Sequence, residues 1–233
     1  MDELIKEGFE QMGISLPESA LWRFKAYYEY LEEQNRVMNL TAISGAADVA
    51  ALHFIDSVAP LKYFYFENAR IIDIGSGAGF PGLPLKIACP TIDLTLMDAQ
   101  KKRVDFLSRT CGLLELNDVR CVCLRAEEAK NEYRESFDFA LSRAVARLNL
   151  LCELCLPFIK VSGSFLAMKG TEHETELQEA AHAIDILGGK LKAVHKYSLP
   201  GTAARHCIIE IEKISPSPKD YPRRFAKMSK SPL

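Results

Sequence analysis

The residues before position 67 show apolar positions at the spacing of amphipathic helices. Between Pro17 and Asn35 an apolar side chain recurs every three or four positions, and Pro17 suits the first turn of a helix. The apolar face consists of Leu21, Phe24, Tyr28 and Leu31. A second helix is predicted from about Ala46 to Val58, with Ser44 as its cap. We therefore expect a helical N-terminal region, residues 1–66, that packs on the rest of the chain.

From residue 67 onward, short runs of β-forming residues alternate with helical stretches. The first five runs are RIIDI (70–74), IDLTLMD (92–98), VRCVCL (119–124), FDFALS (137–142) and GSFLAMK (163–169). This alternation predicts β-α-β units, and so a parallel sheet with helices on both faces. Two later runs, at 191–199 and 205–213, are joined by PGTAA alone, which leaves no room for a crossover helix. The predicted fold class is α/β, with a seven-stranded, mostly parallel sheet and one antiparallel edge strand over residues 67–214. A short basic tail, residues 215–233, follows.

The chain has the size and composition of a globular protein. Its 233 residues, 48% hydrophobic and 26% charged, suffice for one core with an appended subdomain. There is no run of about 18 apolar residues, and the acidic start lacks the regions of a secretory signal. The seven cysteines are an odd number and are scattered, which fits reduced thiols better than a disulfide framework. We expect a cytoplasmic protein without membrane contact and, by default, a monomer.

The densest group of glycines follows the first predicted strand. The stretch IIDIGSGAGFPGLPL, residues 71–85, contains Gly75, Gly77, Gly79 and Gly82. Glycine loses the most backbone entropy on folding, so this cluster indicates positive φ angles or the close approach of a ligand. At the carboxyl end of a parallel strand, a glycine-rich first turn lets an adenosine-bearing ligand approach the backbone. A tight turn without a ligand is the structural alternative.

Two classes of cofactor match the glycine spacing. The last three glycines fit the dinucleotide pattern G-x-G-x-x-G. The first three fit G-x-G-x-G with Asp73 two residues ahead, which resembles the S-adenosylmethionine loop of class I methyltransferases. In that match Asp73 ends the strand facing the crevice, where its carboxylate can hold the cofactor's ammonium group. Pro81 and Pro84 occupy the helix start where a pyrophosphate needs free N–H groups. The spacing therefore favours S-adenosylmethionine.

Acidic residues after the next two strands support an adenosine ligand. Asp98 ends the second strand, where a carboxylate can accept both ribose hydroxyls, although NAD enzymes share this feature. After the third strand, the backbone of Ala126 and the carboxylate of Glu127 can bind the adenine edge. Glu127 can equally be a first-turn helix charge.

Seven short motifs together resemble those of one bacterial family. They are NLTAI (39–43), HFIDS (53–57), DIGSGAGFPGLPLKI (73–87), DAQKKRVDFL (98–107), RAEE (125–128), SRAVARL (142–148) and MKG (168–170). In order and spacing they resemble the RsmG family, formerly GidB, of 16S ribosomal RNA guanine-N7 methyltransferases. The resemblance implies a Rossmann-like class I S-adenosylmethionine-dependent methyltransferase fold. The cofactor residues it implies are Gly75, Phe80, Ala126 with Glu127, and Arg143.

Methyl transfer to guanine N7 requires no general base, since this nitrogen has an in-plane lone pair and no proton at neutral pH. Catalysis then rests on alignment of the reacting atoms. Arg143, after the fourth strand, is the predicted catalytic residue, because its donors suit guanine O6 or the cofactor carboxylate. A structural ion pair is the alternative. His53 and Asp56 share a helical face, which allows a local hydrogen bond or a closing contact over the cofactor.

Basic residues near the C-terminus suggest how RNA is bound. Residues 219–230 carry five basic side chains against one acidic one, with aromatic side chains between them. Arg223 and Arg224 in this tail, and Lys169 at the end of the fifth strand, are the candidate RNA contacts. The tail can equally be a disordered end, and Lys169 a solvated lysine. The predicted partner is 16S ribosomal RNA or a 30S subunit precursor.

Two other functions stay open from the residues alone. One is an NAD-dependent oxidoreductase built on the dinucleotide spacing, and the other is a non-catalytic nucleotide-binding module of a complex. No metal is expected, because Cys152 and Cys155 lack a second ligand pair at a suitable spacing. These two cysteines are predicted to be small core residues, as are Cys111, Cys121 and Cys123.

Overall fold

Helices and strands alternate along the chain as the hydrophobic pattern predicts. The computed structural model describes residues 1–129, 133–170 and 173–233. The strands are β1 (Arg70–Ile74), β2 (Asp93–Asp98), β3 (Val119–Cys123), β4 (Phe137–Arg143), β5 (Ile159–Lys169), β6 (Gly189–Ser198) and β7 (Arg205–Lys213). The helices are α1 (Asp2–Met12), α2 (Ala20–Met38), α3 (46–62), α4 (Gly82–Ala88), α5 (Lys101–Leu113), α6 (Leu148–Cys155), α7 (His173–Ile186) and α8 (Phe225–Lys230). Within these described ranges, no helix is both long enough and apolar enough to span a bilayer.

The strands form one mixed sheet in the order β3-β2-β1-β4-β5-β7-β6. Strands β1 to β5 are parallel, whereas β7 is antiparallel to both β5 and β6. The predicted α/β class and the antiparallel pair at the sheet edge are confirmed. The reversed strand is β7, which lies one place in from the edge of the sheet. Strand β6 pairs with the outer side of β7 and is itself the edge strand. The strand order reverses between β1 and β4, and in such sheets this is where ligands bind.

The two faces of the sheet are covered by different helices. Side chains alternate across each strand, so Ile71 and Leu141 face a core with the N-terminal helices, while neighbouring Ile72 and Ala140 face a second core. Helices α6 and α7 cover that second face. The N-terminal region thus packs directly on the sheet and closes one side of the crevice above it.

Helix α3 differs from the helix predicted over 46–58. Gly45, at φ +85°, precedes its first turn, and the side chain of Ser44 makes no capping bond. The segment widens into a π-helix at Val49–Ile55 and ends in a 3-10 turn at Ala59–Lys62. Wide turns of this kind occur often at functional sites, and this one carries His53.

The C-terminal tail packs against the domain. It leaves the sheet at Lys213, which pairs with Gly189, the first residue of β6, so the tail starts at the amino-terminal edge of the parallel strands. Arg134 Nη1 donates to the carbonyl of Tyr221 (2.8 Å), and the side chain of Met228 is fully buried. The tail, residues 215–233, is therefore packed on the domain and is not the disordered end that the sequence also allowed.

Candidate active site

A cavity of about 830 Å³ opens at the carboxyl ends of the central strands, and we call it the central cavity. Its floor comes from residues that end strands or directly follow them, and these are Gly75, Gly77, Asp98, Arg143 and Lys169. The N-terminal region supplies a second wall with Thr41, His53 and Asp56, and strands β6 and β7 supply a third with Tyr197 and His206. The size is within the usual range for cofactor sites.

The glycine loop after β1 holds the backbone shape that its sequence predicts. Gly75, Gly77 and Gly79 have φ values of +74°, +59° and +99°, which residues other than glycine rarely adopt. A Cβ at Gly77 would meet no atom nearer than 3.9 Å, so its backbone is open to the cavity. Gly79 is outside the cavity wall, because a Cβ there would lie 2.5 Å from Leu83 and 2.6 Å from the Tyr27 hydroxyl. Its role is close packing of the loop on α2.

Asp73 lies beneath the loop instead of facing the crevice, so that expectation is wrong. Its side chain is fully buried, and its Oδ2 accepts the N–H of Gly82 at 3.0 Å. Its Oδ1 has no hydrogen-bond partner within the described residues. Burial raises the pKa of Asp73 to about 7, against the opposing effects of the Gly82 N–H and Arg143. The carboxyl group shapes the turn into α4 from below.

We expect Asp73→Asn to change how stability depends on pH. The pKa of Asp73 is near 7 in the folded chain and about 4 in the unfolded chain. Between these two pH values the Asp73 carboxyl group is therefore protonated in the folded chain and ionised in the unfolded chain. Wild-type stability therefore falls as pH rises from about 4 to 7, and an asparagine does not titrate. We measure the free energy of unfolding in urea at pH 5 and at pH 8. The value for the variant minus that for wild type should be higher at pH 8 than at pH 5 by roughly 2 kcal/mol. A difference that is the same at both pH values would contradict this origin of the pH effect.

Asp98 joins the glycine loop to the start of α5. Its Oδ2 accepts the N–H of Gly77 at 3.0 Å and its Oδ1 accepts the N–H of Gln100 at 2.8 Å. Arg103 Nη1 approaches Oδ2 at 3.4 Å. The carboxylate is nearly buried and lies in the cavity wall, as expected for a residue at the end of β2.

Arg143 is held by an ion pair with Asp56, the structural alternative considered above. Its Nη1 donates to Asp56 Oδ2 (2.7 Å) and to the carbonyl of Leu52 (3.1 Å). Asp56 Oδ1 in turn accepts from Tyr197 Oη (2.7 Å) and from His206 Nδ1 (2.8 Å). Burial alone would raise the pKa of Asp56, but His206, Arg143 and Tyr197 together lower it. Arg143 still lines the cavity, so the ion pair positions it there.

His53 is a neutral part of the same wall. Because a guanidinium only donates, the 3.2 Å contact from Arg143 Nη2 makes His53 Nδ1 an acceptor, and Nε2 then donates to Thr41 Oγ1 at 2.8 Å. Burial, then the charge of Arg143, lowers the pKa of His53 to about 3. Its ring stacks on Phe80, with centroids 4.2 Å apart. The predicted direct bond between His53 and Asp56 is replaced by a link through Arg143.

Ala126 and Glu127 lie at the carboxyl edge but outside the central cavity wall. Ala126 is buried at the start of the 3-10 turn Ala126–Glu128 and belongs to the second core, and Glu127 is half-buried. Phe80, by contrast, is in the wall, beside the Arg143 guanidinium at 5.2 Å from its ring centre.

The three predicted RNA contacts differ in how free their side chains are to bind RNA. Lys169 lines the cavity, but its Nζ is paired with Glu176 Oε2 at 2.7 Å and is nearly buried. Arg223 is likewise committed, because Nε and Nη2 bind the two carboxylate oxygens of buried Glu153 at 2.8 and 2.6 Å. Arg224 is exposed, at the start of α8. Arg223 therefore anchors the tail, and a free phosphate contact there is not supported.

Comparison with known proteins identifies the chain's relatives. The sequence model of the family GidB, described as rRNA small subunit methyltransferase G, matches residues 21–208. A ribosomal RNA small subunit methyltransferase G from Geobacillus sp. (strain WCH70) is 44% identical over 227 residues, which is 96% of this chain and 95% of the relative. The corresponding protein of Staphylococcus epidermidis is 45% identical over 233 residues, 99% of this chain and 98% of the relative.

The chain belongs to the rRNA small subunit methyltransferase G family. Membership confirms the predicted S-adenosylmethionine-dependent methyltransferase acting on ribosomal RNA, and it does not favour the oxidoreductase or the non-catalytic module. Solved structures share the fold. M. jannaschii TYW2 in complex with AdoMet has a TM-score of 0.56 at 15% identity, over 69% of this chain and 76% of that one. TrmN from Thermus thermophilus has a TM-score of 0.56 at 16% identity, over 77% and 53%.

Sequence reasoning missed part of this family member's site. Tyr197 and His206 come from the terminal hairpin, more than 50 residues after Arg143, and reach Asp56 only through the fold. Thr41, which accepts the hydrogen bond from His53 Nε2, lies in the motif NLTAI, where nothing in the sequence marks it as a site residue. The only available signal was the cluster of polar residues in otherwise apolar strands and motifs.

The cysteines and acidic groups of this family member were compared with the requirements of a metal site over residues 1–129, 133–170 and 173–233. In the part of the chain that the structure describes, no cluster of three or more His, Cys, Asp or Glu side chains is arranged to hold a metal ion. The seven cysteines are free, and Cys152 and Cys155 are fully buried.

Proposed function

We propose that this protein transfers a methyl group from S-adenosylmethionine to N7 of a guanine in 16S ribosomal RNA. The observation that carries the proposal is the central cavity itself. This cavity lies where the strand order reverses, and its wall contains the open backbone of Gly77, the carboxylate of Asp98 and the guanidinium of Arg143. The chain's membership of the methyltransferase family supports the same function.

The residues of the central cavity fit the cofactor. Gly77 leaves backbone accessible where a side chain would intrude, and the Asp98 carboxylate beside it suits ribose hydroxyls. Gly75 and Phe80 complete the adjoining wall. Asp73 supports the loop from below, and we propose that it acts through loop shape. For Ala126 and Glu127, at the neighbouring edge, we retain the proposed contact with adenine.

The chemistry requires alignment more than proton transfer. When bound, S-adenosylmethionine supplies a sulfonium methyl, and the N7 lone pair forms the new N–C bond as the S–C electron pair returns to sulfur. His53 fits this scheme, because both ring nitrogens are already hydrogen-bonded and its low pKa keeps it neutral. Arg143, fixed by Asp56, is proposed to orient guanine O6 or the cofactor carboxylate.

We further propose that the guanine leaves its stack to enter the cavity, since the residues proposed to hold the methyl donor lie inside that cavity. The substrate is 16S ribosomal RNA or a 30S precursor. We expect the protein to act in the cytoplasm and as a monomer. Lys169, paired with Glu176, is proposed to shape the cavity floor beneath the RNA.

The decisive experiment is mass spectrometry of 16S ribosomal RNA from cells with and without the gene. We expect one 7-methylguanosine to disappear when the gene is deleted and to return when the wild-type chain is restored. Restoration with Asp98→Ala, whose carboxylate we place at the cofactor, should fail to return it. Unchanged 7-methylguanosine in the deletion strain would refute the proposed function.

A further inference from the structure

A second cavity, of about 460 Å³, adjoins the central cavity, and we call it the flanking pocket. The two cavities share Gly170, Tyr197 and His206 as wall residues. The flanking pocket continues outward to Lys196 and Arg205. A molecule that fills the central cavity and extends past His206 therefore enters the flanking pocket next.

The topology places two cations at the mouth of this pocket. Strand β6 runs in the direction of the parallel strands and ends at Ser198, which pairs with Arg205, the first residue of antiparallel β7. Lys196 pairs with Cys207 one step further in. Both cations therefore lie at the carboxyl edge, where the central cavity opens, whereas the tail begins at the opposite edge.

The wall residues that the structure describes give the flanking pocket a mainly positive charge. Arg205 is exposed, and Lys196 has only a loose pairing with Glu174, at 3.6 Å, with both side chains well exposed. The hydrogen bond from His206 to Asp56 raises the pKa of His206 and favours its cationic form, although burial opposes this. Among the wall residues that the structure describes, Glu174 is the acidic one, and the positive charges of Lys196 and Arg205 outnumber its single negative charge.

The proposed function puts an RNA strand at this edge. When one base enters the central cavity, the neighbouring nucleotide and its phosphate stay at the mouth, within reach of the side chains there. Arginine and lysine are the usual phosphate donors, and contacts of this kind fix the position of the strand. Arg223 is already bound to Glu153 and cannot serve this purpose without breaking a buried pair.

We infer that the flanking pocket binds the backbone phosphate of the nucleotide next to the methylated guanine, with Arg205 as its main contact and Lys196 as a second one. This inference rests on the proposed function, and it names the part of the RNA that the pocket holds. The side chains recognise the phosphate and not the base, so the neighbouring base is not specified.

The test compares wild type with Arg205→Ala, Arg205→Lys and Arg120→Ala. Arg120 is the matched control, since it is an exposed arginine near the amino end of β3, paired with Asp93. Binding of a fluorescein-labelled, single-stranded oligoribonucleotide is measured by anisotropy at several KCl concentrations. Calorimetry with S-adenosylhomocysteine, and methylation of 30S subunits from the deletion strain, are measured on the same preparations.

Arg205→Ala should weaken oligonucleotide binding about 5- to 10-fold and reduce the slope of log K against log salt by about 0.7, the loss of one phosphate contact. The KM for 30S subunits should rise by a similar factor, with kcat and S-adenosylhomocysteine affinity within about 2-fold of wild type. Arg205→Lys should recover most of the affinity, because a phosphate accepts a point charge. Arg120→Ala should match wild type.

Equal oligonucleotide affinities and salt slopes for Arg205→Ala and Arg120→Ala would overturn the inference. A loss of kcat with unchanged RNA affinity would do so too, since it would assign Arg205 to the reaction and not to the strand. If wild type methylates neither 30S subunits nor protein-free 16S ribosomal RNA from the deletion strain, the proposed function fails, while the oligonucleotide titration still decides whether the pocket binds RNA.

Discussion

Replacing Arg143 with alanine is expected to lower kcat/KM for ribosomal RNA methylation by at least about 100-fold, because alignment of the reacting groups would be lost. Among the residues that the structure describes, Arg143 is the one whose guanidinium both lines the central cavity and binds three residues of α3. Those neighbours are Leu52, His53 and Asp56. A methylation assay with 30S subunits from the deletion strain measures the loss.

The same substitution should leave the chain folded. Asp56 is almost fully buried, and removing Arg143 takes away one partner, but Tyr197 and His206 still donate to its Oδ1. The expected destabilisation is therefore about 1 to 3 kcal/mol, less than for a buried carboxylate with no partner. Urea unfolding of the purified variant checks this value.

Arg143→Lys separates charge from geometry. A lysine can keep the ion pair with Asp56, so stability should return close to that of wild type. One ammonium cannot reproduce the planar set of bonds to the Leu52 carbonyl, Asp56 and His53, so activity should stay low. Nearly normal methylation by either variant would remove Arg143 from the proposed reaction.

The sheet was predictable because its pattern is local. Short apolar runs with helical stretches between them are visible in the sequence, and six of the seven strand starts lie within two residues of the predicted ones, apart from β5. Strand β5 begins at Ile159, four residues before the predicted start, because Lys160 and Ser162 interrupt the apolar positions there and obscure the strand pattern. The unpredicted α1 buries only Ile5, Gly8, Phe9 and Met12.

Residues of the central cavity could be predicted from the sequence only where they lie at the end of a strand. Asp98 and Arg143 terminate strands, and the order of a parallel sheet brings such ends together. Asp73 was misplaced although the strand was predicted with its observed bounds, because its carboxyl group lies under the loop and accepts the N–H of Gly82, a contact that strand spacing does not reveal. The Asp56 network joins α3, β4, β6 and β7, and contacts between elements so far apart in sequence leave no local spacing to detect.

Asp98→Ala is expected to weaken S-adenosylhomocysteine binding by at least about 100-fold. One carboxylate holds two backbone donors at once, the N–H of Gly77 at 3.0 Å and that of Gln100 at 2.8 Å. Without it, the positive-φ loop loses its tie to α5, and both donors lose a charged acceptor, each such bond contributing about 1.5 to 3 kcal/mol. The proposed ribose contact is lost as well. Titration calorimetry measures the affinity directly.

Two further variants show which of these losses matters. Asp98→Asn keeps one acceptor oxygen for two N–H donors, so binding should fall by only about 10-fold, the loss of roughly one bond. Asp93→Ala, at the other end of β2, removes a partly exposed carboxylate that binds Arg70 and Arg120, and the affinity of this variant should stay within about 2-fold of wild type. If Asp98→Ala instead binds as tightly as Asp93→Ala, neither the loop tie nor the ribose contact determines cofactor affinity, and the cofactor must be held by Arg143 and Phe80.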